Sequence, residues 1–242
     1  MPGIIFTQEK TEMTRALDLE IKNSRNIPRY IFGEGSINNL KSLLLERNDN
    51  KSGYAVYFID IFFEKNVKPL ESLPILDSDQ VFYVDTQNEP TTSYVDDLKN
   101  RLMGIKKSLP HTIIGIGGGG ALDVAKAISN LLTNSGNAED YQGWDLVKFP
   151  GIYKIVIPTI SGTGAEATRT CVMINPATGL KLGMNSDYTI FDQLILDPEL
   201  LSTVPLDQYF YTGMDTFIHC VESLSGNYRN AIGDAFSNQA IQ

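Results

Sequence analysis

The sequence predicts an α/β fold: a Rossmann-like parallel-sheet domain over residues 1–198, followed by the first part of an all-helical domain over 199–242. Three observations predict it. Runs of β-formers alternate with helical patterns from Arg29 to Ile157. The run Thr112–Ile116 opens directly into Gly117-Gly118-Gly119-Gly120. Strand signals then stop at Asp197-Pro198. Strands that alternate with helices pair in parallel, because each crossover returns the chain to the same edge with a helix lying on the sheet.

Taken in order, Arg29–Phe32 reads as a short strand closed by Gly33 and Gly35, and Ser36 is placed to cap a helix through Leu40, Leu43 and Leu44. Tyr54–Ile59 and Val81–Val84 are strands. Pro90 and Thr91 lead into a helix with Tyr94, Val95, Leu98, Leu102 and Ile105 at helical spacing. Thr112–Ile116 is a strand, Leu122 to Leu132 a buried helix, and Tyr153–Ile157 a strand stopped by Pro158. Thr168–Asn175 and Leu180–Met184 flank Pro176-Ala177-Thr178-Gly179 as a hairpin. Leu194–Leu196 is a last short strand, and Leu206–Ser223 one helix.

A chain of 242 residues with 42% hydrophobic residues suffices for one large domain, or one domain and part of another. The formal charge of −9 argues against nucleic acid as a partner, which needs clustered Lys and Arg. Cys171 and Cys220 make no disulfide framework and fit a reducing compartment. Met1–Glu20 carries Glu9, Glu12, Asp18 and Glu20 and lacks the apolar core of a signal peptide, and no stretch approaches the roughly 20 apolar residues of a membrane span. The expectation is a soluble, cytoplasmic protein with no membrane partner.

Gly115-Ile116-Gly117-Gly118-Gly119-Gly120 meets the G-x-G-x-x-G spacing between a strand and a helix. Glycines admit a pyrophosphate to the backbone, and the helix N-terminus presents free N–H groups. The other reading is a tight turn that needs only positive φ angles. The turn follows the third strand rather than the first, and no acidic residue stands at the usual distance after it. Asp123, in the next turn of the helix, is favoured by the helix dipole whatever its function. Asp60, at the end of an earlier strand, is either a ribose acceptor or a surface acid. Pro158-Thr159-Ile160-Ser161-Gly162-Thr163-Gly164 packs hydroxyls and glycines after a strand, which suits phosphate and ribose contacts or an ordinary loop. Asp215 and His219 are one helical turn apart, so both project from one face. That suits two ligands of a divalent ion, or an ordinary surface pair.

Together these segments resemble the iron-containing, or group III, alcohol dehydrogenases, from about Pro28 to Ser223. The markers stand in family order: Gly33-Glu34-Gly35-Ser36; Gly117 to Lys126; Pro158 to Thr168; Asp197-Pro198-Glu199-Leu200; and Gly213-Met214-Asp215-Thr216-Phe217-Ile218-His219. The resemblance implies a nucleotide-binding domain followed by an incomplete metal-binding helical domain. It makes Asp60 a ribose contact and Gly118, Gly119 and Gly120 a pyrophosphate cradle with Asp123 beside it. Thr159, Ser161, Thr163, Thr168 and Lys181 line the cofactor cleft, and Asp215 and His219 are two of four metal ligands, the others being histidines expected beyond Gln242. It further implies oxidation of a small-molecule alcohol, a divalent metal (Fe, alternatively Zn or Mn), NAD or NADP, and a homodimer when complete. Gly120 stands where the family usually has serine, and Ile160 where it often has threonine.

The wording is also similar to the 3-deoxy-manno-octulosonate 8-oxidase branch, which would make a sugar acid the substrate, oxygen a possible acceptor and lipopolysaccharide biosynthesis the setting. Dehydroquinate-synthase-like and glycerol-1-phosphate dehydrogenase-like enzymes share the architecture with different ligands and stand as the alternative, as does a non-catalytic nucleotide-binding fragment.

Overall fold

The computed structural model describes residues 26–48, 53–227 and 229–242. The acidic segment Met1–Glu20 lies outside the described residues. In chain order the strands are β1 (Tyr30–Phe32), β2 (Ala55–Asp60), β3 (Gln80–Val84), β4 (Thr112–Gly117), β5 (Gly143–Trp144), β6 (Lys154–Pro158), β7 (Thr170–Ile174), β8 (Lys181–Asn185) and β9 (Gln193–Leu196). The helices are α1 (Leu40–Arg47), α2 (Phe62–Lys65), α3 (Thr92–Ile105), α4 (Gly119–Leu131), α5 (Leu206–Ser225) and α6 (Ala231–Ile241).

Six strands form one sheet in the order β1-β9-β6-β4-β2-β3, parallel throughout. The central strands β4 and β6 are buried at every position, as a parallel sheet covered on both faces requires. Alternation along β2 divides the core. Val56 and Phe58 face α3 and α4 with Val95, Leu98, Leu122 and Ile128, whereas Ala55, Tyr57 and Ile59 face α1 with Leu40 and Leu44.

The predicted hairpin is present: β7 and β8 pair antiparallel, Val172 opposite Gly183. With β5 it makes a separate three-stranded sheet that packs over α4. This explains why α4 is buried almost all round. The large sheet lies on one side of it and β7 on the other. The strand β5 is only two residues long and carries no pattern of its own in the sequence.

One expectation is corrected. Ser36 does not cap the first helix: its hydroxyl donates to the Leu196 carbonyl at 2.9 Å. Asp197 takes the capping role from across the sheet, its carboxylate accepting from the amides of Gly35 (3.2 Å) and Ile37 (3.0 Å) and from its own neighbour Glu199 (3.1 Å). The Gly-Glu-Gly-Ser turn and the Asp-Pro-Glu-Leu segment are thus one structural unit. Beyond it the described chain is helical, α5 packing on α6.

Strand order puts a switch between β2 and β4. From β2 the chain leads outward to β3, and from β4 it leads the other way to β6, which opens a crevice at the carboxyl ends of β2 and β4. The helix α4 is the packed element beneath that crevice. Ile128, fully buried between the two sheets, is expected to destabilise the protein by about 2–5 kcal/mol when changed to Ala. Urea unfolding measures this; a loss well below 1 kcal/mol would mean α4 is not the central layer.

Candidate functional site

The crevice is a cleft of about 340 Å³, lined by Asp60, Phe62, Phe63, Thr86, Gly118, Gly119, Gly120, Thr159, Ile160, Thr163, Thr203, Val204, Pro205, Gln208 and Thr212. Its floor is the start of α4. Gly118 is extended, and the first intrahelical bond runs from the Leu122 amide to the Gly118 carbonyl at 3.1 Å. The amides of Gly119, Gly120 and Ala121 therefore lack an intrahelical acceptor, and the helix dipole adds partial positive charge there. An anion is the ligand such a floor favours.

Glycine is required at Gly117, where φ is +145° and a Cβ would lie 2.7 Å from the Asp60 Cβ and 3.0 Å from the Ala121 Cβ. At Gly119 a Cβ would press on Thr163 Oγ1 at 3.2 Å. Gly120 differs, since its nearest neighbours, Thr86 Cγ2 and Pro90 Cδ, stand at 3.6 and 3.9 Å. The position has room for a side chain.

Asp60 ends β2 at the cleft wall. Its Oδ1 accepts from the Phe62 amide (2.9 Å) and the Thr86 hydroxyl (3.0 Å), leaving Oδ2 without a hydrogen bond among the described residues. Thr86, at the carboxyl end of β3, was not singled out by the sequence reading. Its signal would have been its position at the same sheet edge as Asp60. Phe62 and Phe63, in the short helix after β2, and Thr203 to Pro205, Gln208 and Thr212 were missed as well: the first two have no distinguishing pattern, and nothing local in the sequence brings the start of α5 to the cleft.

The loop after β6 forms the second wall. Thr159, Ile160 and Thr163 line the cleft, whereas Ser161 is exposed outside that lining. Gly162 (φ +150°) presses against the backbone of Thr212, and its carbonyl accepts from Thr216 Oγ1 at 2.9 Å, so the loop touches α5 directly.

Besides Ser161, three of the residues expected at the cofactor lie outside the cleft lining. Thr168 Oγ1 sits 3.0 Å from the Lys126 ammonium. Lys181, half-exposed on β8, pairs with Glu89 at 2.7 Å. Asp123 accepts from the Val172 amide at 3.0 Å, tying α4 to β7.

Burial pushes the Asp123 carboxyl up to about 6, the Lys126 charge and the Val172 amide opposing the rise. Burial likewise lowers the Lys126 ammonium to about 8, with Asp123 holding it up. Burial also raises Glu166 and Cys171.

The family model described as iron-containing alcohol dehydrogenase matches residues 28–198. The chain belongs to that family. It is 39% identical over 176 residues to sulfoacetaldehyde reductase of Bilophila wadsworthia (strain 3_1_6), covering 72% of this chain and 45% of that protein. It is 34% identical over 130 residues to NAD-dependent methanol dehydrogenase of Bacillus methanolicus, covering 54% of this chain and 34% of that protein. Among solved structures, the alcohol dehydrogenase from Oenococcus oeni superposes with a TM-score of 0.77 at 28% identity, covering 90% of this chain and 56% of that one. The chain thus spans about half the length of the relatives it matches.

In this chain, Asp215 and His219 stand on α5 with Oδ1 and Nε2 3.7 Å apart, both side chains about half-exposed. A carboxylate oxygen and an imidazole nitrogen at that separation fit adjacent positions on one divalent ion. Among the described residues no third His, Cys, Asp or Glu joins them. No helix of the described chain is long and apolar enough to cross a membrane.

The sign of the Asp123 shift fixes a pH dependence. The folded pKa is above the unfolded one, so between about pH 4 and 6 the folded state holds a proton the unfolded state has lost. That contribution is full below about pH 4 and is lost as pH rises through 6, a change of up to about 3 kcal/mol. Relative to Asp123→Asn, the wild type is expected to lose thermal stability over that window and to run parallel above it. Parallel curves from pH 4 upward would show an unshifted carboxyl.

Proposed function

We propose that the chain is the nucleotide-binding domain, residues 1–198, and the beginning of the metal-binding helical domain, 199–242, of an NAD-dependent alcohol dehydrogenase. The observation that carries the reading is the convergence of the Gly119 and Gly120 amides, which lack an intrahelical acceptor, with the Asp60 carboxylate at one crevice. A pyrophosphate is the ligand for the first and a ribose diol for the second. The names of the relatives, an NAD-dependent methanol dehydrogenase and a sulfoacetaldehyde reductase, support a nicotinamide cofactor and a small alcohol or aldehyde as substrate.

In this reading Asp60 Oδ2 accepts from a ribose hydroxyl while Thr86 and the Phe62 amide hold Oδ1. The same carboxylate repels a 2′-phosphate, which selects NAD over NADP. Gly118, Gly119 and Gly120 admit the pyrophosphate, and Thr159 and Thr163 face it from the opposite wall. Asp123, Thr168 and Lys181 act behind that wall. Ser161 is left to contacts outside the cleft lining.

Asp215 and His219 hold one side of a divalent cation, iron by family and alternatively zinc or manganese. Such an ion supplies Lewis acidity to a substrate hydroxyl. The hydrogen bond from Thr216, next to Asp215 in sequence, to the Gly162 carbonyl supports a metal pair close to the cofactor loop. The family's small-alcohol substrates are the first class to screen, and 3-deoxy-manno-octulosonate, with a role in lipopolysaccharide biosynthesis, the second. We further propose a cytoplasmic homodimer.

Titration of NADH by fluorescence tests the cofactor reading. NADH is expected to bind at least 10-fold tighter than NADPH, with the preference lost in Asp60→Ala. Gly120→Ser, which the space at that position accommodates, is expected to tighten NADH by about 0.5–1.5 kcal/mol through one added hydroxyl. Equal binding of NADH and NADPH by the wild type would remove Asp60 from the ribose site. For the metal, elemental analysis of the full-length protein is expected to show loss of bound metal in Asp215→Ala and His219→Ala. NADH formation without matching oxygen uptake marks a dehydrogenase, and the reverse an oxidase.

A further inference from the structure

Lys126, the last residue of the glycine-turn motif, has no role in the cofactor reading. It lies in the middle of α4, fully buried, among Ala, Val, Leu and Ile side chains with Ser129 and Asn130 further along the helix. A buried ammonium is unfavourable unless each of its protons finds an acceptor. Here Nζ donates to the carbonyls of Ala165 (2.6 Å), Thr168 (2.8 Å) and Thr170 (2.8 Å), with Thr168 Oγ1 at 3.0 Å. Three carbonyls of one segment match the three protons of one cation.

That segment is the descending limb of the loop whose ascending limb walls the cleft. Thr159 and Thr163 stand on the cleft side, Thr163 packed above Gly119. The Gly162 carbonyl, between them, is held by Thr216 of α5. Lys126 is not itself a lining residue of the cleft. Yet α4 carries both the acceptor-free amides at its first turn and the ammonium further along, so one rigid helix sets the distance between the two walls.

We propose that Lys126 is a positioning residue for the cofactor: its buried ammonium gathers the carbonyls of Ala165, Thr168 and Thr170 and so fixes Thr159 and Thr163 opposite the Gly119 and Gly120 amides. The proposal rests on the nicotinamide reading of the cleft. Without the ammonium only the Thr168 hydroxyl, 3.4 and 3.2 Å from the Ala165 and Thr170 carbonyls, remains as a donor, and one hydroxyl serves one carbonyl at a time, so the loop must turn the others toward water. The cleft then loses its second wall while its floor stays intact.

The test compares Lys126→Met, of similar length without donors, with Ile128→Ala, which weakens the same helix but lies away from the loop. Both are made in the full-length protein and kept well below their unfolding temperatures, with far-UV circular dichroism confirming the fold. The Kd for NADH is expected to rise at least 10-fold in Lys126→Met and to stay within 2-fold of wild type in Ile128→Ala. An unchanged Kd in folded Lys126→Met overturns the proposal, as does an equal rise in both variants, which would mark a purely structural lysine. Hydrogen exchange without NADH gives a second check: the amides of Ala165 and Ala167, which carry the loop's own hydrogen bonds, are expected to exchange faster in Lys126→Met than in Ile128→Ala, and equal rates in the two variants contradict a loop held by the ammonium. A wild type that binds no NADH at all sinks the nicotinamide reading itself, an outcome distinct from a wild type and a Lys126→Met protein that bind NADH equally.

Discussion

The carboxyl end of β4 meets the end of β2 and the first turn of α4 at a distance only glycine permits. A Cβ on Gly117 would lie 2.7 Å from that of Asp60, and the backbone there has φ of +145°. This close approach brings a strand-end carboxylate and a set of acceptor-free helix amides to one crevice. Any side chain at Gly117 would push β2 and α4 apart and separate the two groups. The Thr159 amide donating to the Gly117 carbonyl at 3.1 Å brings the end of β6 to the same level.

Electrostatics then decides what such a crevice accepts. The chain carries a formal charge of −9, yet the cleft floor is made of N–H groups at a helix start, a local positive field within an acidic protein. The acidic groups nearby are either committed or displaced: Asp60 Oδ1 is held by two donors, and Asp123 turns away to the Val172 amide. The site thus favours an anion at its floor and a hydroxyl donor at its wall. Those are the two chemistries of a nucleotide diphosphate and its sugar.

Much of the fold is legible in the sequence because a parallel sheet buried on both faces writes itself as continuous runs of Ile and Val, as in Thr112–Ile116 and Tyr153–Ile157. The glycine turn is legible for a related reason: four glycines after a strand are hard to place elsewhere. Long-range partners are the part that is not. Ser36 has the residue type of a cap, but Asp197, distant in sequence, takes the amides. Thr86 and the α5 residues of the cleft have no local pattern. The family resemblance puts Thr168 and Lys181 in the cofactor cleft, yet their side chains meet Lys126 and Glu89, partners that only the packing of the hairpin over α4 selects. The spacing of Asp215 and His219 is readable, but the separation of their side-chain atoms depends on rotamers that spacing does not fix.

The most direct measurement is a crystal structure of the full-length protein with NADH bound. The pyrophosphate oxygens are expected within hydrogen-bonding distance of the Gly119 and Gly120 amides, with a ribose hydroxyl on Asp60 Oδ2. A dinucleotide bound elsewhere, or one whose pyrophosphate leaves those amides to water, would contradict the reading of this crevice as the cofactor site.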